Sequence, residues 1–454
     1  MSVVPAIRIS SRDPRYFEYE NGRPFIPIGL NLCFPRFVES ESEILGKMRS
    51  WLDALSQNGG NFFRMFLGHP AFDVEHTEAG VYDETKARRV DAVLDMARER
   101  GLYVNLCLEH FRSLEEKPLF FPGAVSFGKL LHHVKNGGTA NAMSDFWTGE
   151  ASRSQFKRKI HWLTARWGKR PELAVWELWN EVDAAEGEGW AAWTEEMLAH
   201  LKRCLPDRVV TQSLGGWEYV SCEAAYRAFM PMPGNDLAVV HRYLNEGGSL
   251  PIVHGPVDVL SADAIRQTRM LAPDKPILLG EGGAVEPHHS APFRHYGEDK
   301  EGSILHDVIF APFFAGAAGT GLSWHWDFYV DKNDLWRHFR AFADVVKDID
   351  PVEEGFEPKV SETEAARVYI LVGKKTILVF VRDRRNDWAH ELDEKEAPKR
   401  FEVFSLSAQP GWENTHSWAI YDPWEARWQH PIIENGQDVR WKNFHRSAIL
   451  KGLR

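Results

Sequence analysis

The chain has 454 residues, 44% of them hydrophobic, and 54 Lys and Arg against 65 Asp and Glu, for a net charge of −11 at pH 7. Length and composition are those of a globular protein of about two domains, which excludes a disordered or collagen-like chain. The acidic balance is spread along both halves, which excludes a surface built to neutralise nucleic-acid phosphates and suits an anionic membrane no better.

The opening residues, MSVVPAIRISSRDPRYF, hold no basic segment followed by a long apolar one, and no later window approaches ~18 uninterrupted apolar residues. A soluble, cytoplasmic protein is expected. Tyr16 to Tyr19 reads as a strand, Asn21-Gly22 as a turn, and Phe25 to Gly29 as a returning apolar run, which together make a hairpin. Eight short apolar runs then recur, each ending in polar or aromatic residues: FIPIGLN to Asn31, GNFFRMFL to Leu67, GLYVNLCLEH to His110, LAVWELWNE to Glu181, RVVTQSLGG to Gly216, DLAVVHRY to Tyr243, KPILLGE to Glu281 and GLSWHW to Trp326. Helical periodicity fills the intervals. In ILGKMRSWLDALSQNGG, for example, Ile44, Met48, Trp51, Leu52 and Leu55 share one face and Gly59-Gly60 supply the stop.

Strand and helix alternating in this way imply a (β/α)8 TIM barrel, because every parallel strand needs a crossover helix. The competing fold, an open doubly wound sheet, normally carries a glycine-rich nucleotide fingerprint after its first strand, and none is present. Two insertions, residues 111 to 149 and 284 to 303, follow strand ends, where barrel loops build active sites. From residue 350 the helical rhythm gives way to β-rich runs such as RVYILVG, KTILVFVRD, FEVFSLS, HSWAIYDP and HRSAILK. The expected division is a barrel with its N-terminal hairpin over 1–349 and a C-terminal antiparallel β-sandwich over 350–454. Trp412, Trp418, Trp424, Trp428 and Trp441 of the sandwich are read as core or as the seam against the barrel. Cys33, Cys107, Cys204 and Cys222 form no C-x-x-C pair and read as buried small hydrophobes.

Side chains at the carboxyl ends of barrel strands converge on one mouth. There the sequence places Arg64 on run two, Glu109 and His110 on run three, Asn180 and Glu181 on run four, His241 and Tyr243 on run six, Glu281 on run seven, and Trp324 and Trp326 on run eight. Glu181 and Glu281 come from opposite sides of the ring. That arrangement can flank a glycosidic bond with an acid on one side and a nucleophile or base on the other. Arg64 and Tyr243 can hold one carboxylate ionised, Asn180 can grip a sugar hydroxyl, and a strand-eight aromatic face can stack beneath a ring.

The ordered set NFFRMF, EH, WELWNE, HRY, LLGEGG and SWHW, over roughly residues 20 to 345, resembles glycoside hydrolase family 5 and its wider clan of retaining barrel glycosidases, with AVWELWNE most like the mannan-cleaving members. The resemblance implies that Glu181 is the acid/base and Glu281 the nucleophile, with Arg64, His110, Asn180, His241, Tyr243 and Trp324 or Trp326 in support, Trp324 being favoured as the stacking platform. It departs from the family where Val182-Asp183 stands in place of the Pro that often follows Asn-Glu.

Glu177 and Glu109 read instead as internally paired ions of the barrel interior. The pairs His132-His133 and His288-His289 read as solvated loop residues. A metal centre lacks its His-x-His or H-E-x-x-H pattern and a Ser-His-Asp hydrolase its G-x-S-x-G elbow, so no metal and no cofactor are expected. A non-catalytic carbohydrate-binding barrel would be expected to have lost one of the two glutamates. The expected activity is hydrolysis of short β-linked oligosaccharides, by an exo-acting β-mannosidase ahead of an endo-β-mannanase or β-glucanase. The expected partner is the small oligosaccharide, with no nucleic acid and no membrane; homo-oligomerisation stays open.

Overall fold

Strands buried on both faces read as near-continuous apolar runs, and in this chain they pair in parallel. In the computed structural model, which describes residues 4–36, 38, 40–110, 131–185, 187–409, 411–434 and 438–454, strands Gly29–Asn31, Phe62–Phe66, Tyr103–Cys107, Leu173–Glu177 and Val209–Thr211 form one parallel sheet in chain order. A parallel bridge from Thr211 to Leu237 leads to Ala238–Asn245, which pairs in parallel with Ile277–Val285. A further bridge joins Gly282 to Ser323. The backbone N–H of Asn31 donates to the Ser323 carbonyl at 3.1 Å, returning the ring to its first strand and closing the (β/α)8 barrel. Gly29 is required where strands one and two meet: a Cβ there would lie 1.6 Å from the Phe62 carbonyl oxygen.

The helix Glu41–Gln57 starts at Ser40, whose side chain and that of Glu43 cap each other's backbone, and it buries Ile44, Met48, Trp51, Leu52 and Leu55, the face read from the sequence. The N-terminal hairpin pairs Phe17–Tyr19 with Pro24–Phe25 and gains a third strand, Ile7–Ile9. Its Ile7, Tyr16, Phe17 and Phe25 pack with Phe62, Tyr103, Val209, Val239 and Leu278. These lie at or near the starts of barrel strands, so the small sheet covers the amino-terminal end and leaves the carboxyl-terminal mouth for chemistry.

Beyond the short helix Pro351–Glu354 come two antiparallel sheets. One has six strands, in the order Glu357–Glu362, Ala366–Val372, Thr376–Asp383, Ser447–Leu453, Ser417–Asp422 and Arg427–Gln429; the other has three, Arg400–Leu406, Asp438–His445 and Ile432–Glu434. The period of two explains why the central strands are apolar throughout. Val368, Ile370, Ile377, Val379 and Val381 point into the sandwich, whereas Tyr369, Leu371, Leu378 and Phe380 join the barrel core. The barrel presents helices Val257–Leu271 and Ser303–Phe314 to this face. Arg367 donates to both carboxylate oxygens of Asp258 at 2.6 and 2.8 Å, and Arg382 to both of Asp307 at 2.7 and 3.1 Å.

Trp412 and Trp441 are core residues, and Trp424 lies in the seam, 4.5 Å from the His306 ring. Trp418 is partly buried against the sandwich core, while Trp428 is 41% exposed beside Tyr421. Cys33 and Cys107 are buried as expected, but Cys204 and Cys222 are only partly so, since each lies where a helix meets a loop at the barrel's periphery.

Candidate active site

The strand ends bring the sequence-selected residues together around Arg64. This side chain is fully buried, and its Nε and Nη2 donate to the two oxygens of Glu177 at 2.7 and 2.6 Å. Its Nη1 donates to Glu281 Oε1 at 2.6 Å, and Nη2 also reaches Asn180 Oδ1. One guanidinium thus ties strands two, four and seven. Burial alone would raise Glu177, but the charge and hydrogen bonds of Arg64, with Ser213, more than offset it and hold the carboxyl below its ordinary range. Glu177 therefore acts as the permanent counter-ion of Arg64. Glu109 is likewise structural: it is fully buried and accepts from Lys159 at 2.8 Å.

Glu281 has a second donor, the Tyr243 hydroxyl, at 2.6 Å. Arg64 and Tyr243 act in the expected direction, each favouring the ionised form of Glu281, but they are not the largest influence on it. Burial pushes the Glu281 carboxyl above its ordinary range, and the facing Glu181 adds to this; His241, Arg64 and Tyr243 offset only part of it. The physical reason is that Arg64 divides its charge and gives Glu177 the bidentate half. Tyr243, its own pKa raised well above the usual range by burial and by Glu281, remains a neutral donor.

Glu181 stands just past the fourth strand in a left-handed conformation, φ 51° and ψ 56°, which is uncommon for a residue with a side chain and turns its carboxyl into the mouth. Ser213 holds this turn, accepting from the Glu181 backbone N–H at 3.1 Å while donating to Glu177 at 2.6 Å. The departure at Val182-Asp183 has a use: Asp183 accepts from the Gly215 N–H at 2.7 Å, fastening the loop after strand four to that after strand five. His241, fully buried, places Nδ1 2.8 Å from Glu181 Oε1. Burial pushes the Glu181 carboxyl up to about 8, with Asp183 and Glu218 adding to the rise and His289 opposing it. One oxygen of Glu181, one of Glu281 and one ring nitrogen of His241 all lie within 4.8 Å of one another. Such a trio has donor atoms suited to a cation, but the Arg64 guanidinium already occupies the flank of Glu281 and disfavours a divalent ion there.

Asn180 Nδ2 donates to His110 Nδ1 at 3.0 Å, so His110, its pKa far below the ordinary value through burial and Arg64, serves as a neutral acceptor that orients Asn180. The strand-eight aromatics separate. Trp324 is partly exposed, whereas Trp326 is fully buried edge-on against Trp51 and Phe34 and has no face to offer a sugar. Regular strand alternation would give Trp324 and Trp326 one face; a π-helical turn over Trp326–Asp331 ends that alternation and rotates Trp326 into the core.

His288 is exposed as expected, but His132 and His289 need correction. His132 is buried against the Phe146 ring. His288 and His289 both adopt positive φ, 59° and 56°, and His289 Nε2 lies 2.7 Å from Glu218 Oε2 with its ring edge-on to Tyr243. Against the effect of burial, Glu218 raises the pKa of His289. Glu218, buried and accepting from the Tyr243 N–H at 3.1 Å, was missed because a lone Glu in GGWEYV carries no pattern. Arg36, whose guanidinium lies between 4.9 and 6.0 Å from the rings of Trp326, Phe328, Phe34 and Trp324, was missed for the same reason. Of the first insertion, residues 111–130 lie outside the described residues.

Arg64→Met should leave Glu177 buried without its counter-ion and cost about 3–5 kcal/mol of stability. Thermal unfolding beside the wild type reads this directly; an unchanged melting temperature would show that Arg64 is not the electrostatic anchor.

The family model described as Cellulase (glycosyl hydrolase family 5) matches residues 19–299. The chain is 25% identical over 385 residues to a mannan endo-1,4-β-mannosidase of Oryza sativa subsp. japonica, covering 78% of this chain and 77% of the rice protein. Among solved structures, a family 5 glycoside hydrolase from Bacteroides vulgatus superposes with a TM-score of 0.57 at 12% identity over 99% of this chain and 94% of that one. An exo-β-1,4-mannosidase from an Opitutaceae bacterium gives 0.51 at 21% identity, over 72% of this chain and 57% of that one.

Proposed function

Because the chain belongs to glycosyl hydrolase family 5 and is thus a hydrolase of O-glycosyl bonds acting with retention, we propose that it is an exo-acting β-mannosidase of short oligosaccharides, with Glu281 as nucleophile and Glu181 as acid/base. The observation that supports retention is the approach of the two carboxylates, one oxygen of each lying within 4.8 Å of the other; the roles rest on Arg64 and Tyr243 donating to Glu281 and on burial lifting Glu181 to about 8. An approach this close fits the separation of about 5–5.5 Å for double displacement better than the about 6.5–9.5 Å of inversion.

Glu281 attacks the anomeric carbon while Glu181, protonated because burial lifts it to about 8, gives its proton to the departing oxygen. The sugar is then an ester of Glu281. Glu181, now a carboxylate, takes a proton from water as that water attacks the ester, and the cycle returns to its start. When Glu281 loses its charge in the ester, Arg64 keeps its bidentate partner Glu177, so the guanidinium is not left unpaired midway. Tyr243 and Arg64 fix the attacking oxygens, Asn180 faces the sugar, and Trp324 supplies an apolar surface beneath it.

The choice of a terminal sugar rests on the loop after strand seven. His288 N–H donates to Asn245 at 3.1 Å, His289 bonds Glu218, Arg294 pairs with Glu246 at 2.8 Å, and His295 approaches Asp393 at 3.1 Å. A loop fastened at so many points supports a wall at one end of the cleft. A manno-configured substrate is favoured by the name of the rice relative. That same name favours a second reading, endo-cleavage of mannan. Aryl β-mannoside, β-glucoside and β-galactoside, mannooligosaccharides and polymeric mannan, with products sized over time, separate the two. Release of single mannose units with negligible cleavage of polymer is expected; early mid-sized fragments from mannan would establish the endo reading instead.

A further inference from the structure

On the outer wall of the barrel, helices Glu150–Trp167 and Trp190–Cys204 pack side by side, one before and one after the strand that leads to Glu181. His161 projects from the first. His200 and Cys204 stand four residues apart on the second and therefore share one face of it. One donor atom from each of the three lies within 4.8 Å of the other two. His161 Nδ1 is already 3.7 Å from Cys204 Sγ, and the two imidazoles meet edge to face, at 4.8 Å and 88°.

The second observation is the state of His200. Its Nδ1 faces the Arg203 guanidinium at 3.4 Å, while its Nε2 is buried with no hydrogen-bond partner. A buried imidazole nitrogen ordinarily finds a donor or an acceptor. One nitrogen of the same ring belongs to the group of donor atoms shared with His161 and Cys204.

We propose that His161, His200 and Cys204 form a zinc site that clamps these two helices, with water as the fourth ligand. The donor set decides the metal: two imidazoles and a thiol, with no carboxylate among the three, suit a borderline-soft cation and not Ca²⁺ or Mg²⁺. Tetrahedral zinc with nitrogen at about 2.0–2.1 Å and sulfur at about 2.3 Å sets its ligands roughly 3.3–3.6 Å apart. The His161–Cys204 pair already has nearly that spacing, and closing the third edge requires only a small adjustment of His200. Binding displaces the thiol proton of Cys204, so one proton is released per metal as the zinc–thiolate bond forms. Burial raises the Cys204 thiol pKa and Thr164 and Arg203 offset only part of this, so it is the metal that displaces the proton.

Cobalt(II) is the probe, titrated into the full chain. One equivalent is expected to give the visible bands of a tetrahedral site and a sulfur-to-cobalt charge-transfer band, both lost on adding zinc. Cys204→Ser should abolish the charge-transfer band, and His200→Ala and His161→Ala should each weaken cobalt binding about tenfold or more. His161 is exposed, so its variant keeps the test valid if a change at Cys204 disturbs folding. Glycoside hydrolysis should be unchanged in His161→Ala. The proposal is overturned if cobalt fails to bind stoichiometrically, if the sulfur band survives in Cys204→Ser, or if binding is lost in Glu281→Gln but kept in His161→Ala, which would move the metal to the catalytic cleft.

Discussion

Glu281→Gln is expected to lower kcat by on the order of 10⁴-fold or more, because the replacement keeps the shape of the side chain and removes the only atom able to form the glycosyl ester. Folding should not suffer. Burial raises the Glu281 pKa, so a neutral amide removes a buried charge while giving up one hydrogen bond from Arg64 or Tyr243, and the melting temperature should hold. A separate readout distinguishes a nucleophile from a residue that merely positions others. Glu281→Ala opens space on the attacking side, and azide added to it should yield the inverted glycosyl azide from an activated aryl β-glycoside. Wild-type turnover in Glu281→Gln would remove the residue from the mechanism.

Removal of the acid has a different signature. Glu181→Ala should slow hydrolysis of substrates with poor leaving groups by about 10²–10⁴-fold and barely slow bond cleavage when the leaving group needs no proton. The pH profile carries the sign. Glu181 must be protonated to act, so wild-type activity should fall as pH rises through about 8, the value to which burial lifts this carboxyl. Glu281 must be ionised, so the acid limb should lie above the ordinary carboxylate range, in the direction of its shift. In Glu181→Ala the alkaline limb should vanish on poor leaving groups. Persistence of that limb would assign it to another group, with His289, raised by Glu218, the nearest alternative.

The chain order of the barrel was legible because each parallel strand is an apolar run ending in a polar signature, and those signatures placed Arg64, Asn180, Glu181, His241, Tyr243 and Glu281 at one mouth. What remained hidden depended on local backbone geometry. Alternation along strand eight could not announce the π-helical turn that buries Trp326. The consecutive left-handed conformations of His288 and His289, which bring His289 to Glu218, have no signature in residue type. The division of Arg64 between Glu177 and Glu281 was also invisible, since both glutamates are legible as strand residues but their depths are set by the twist of the barrel. The seam, by contrast, was half-legible. The uninterrupted apolar runs RVYILVG and KTILVFVRD require two buried faces, but nothing in the runs names helices Val257–Leu271 and Ser303–Phe314 as the cover.

The central claim, that Glu281 carries the sugar, is tested most directly by trapping the ester. A 2-deoxy-2-fluoro-β-mannosyl fluoride slows both steps and supplies a leaving group that needs no acid, so the intermediate should accumulate. Intact mass should rise by one fluorosugar per chain, and peptide mapping should place it on the segment containing LLGEGG, at Glu281. A label on Glu181 or Glu177, or no label together with a product of inverted configuration, would contradict the account.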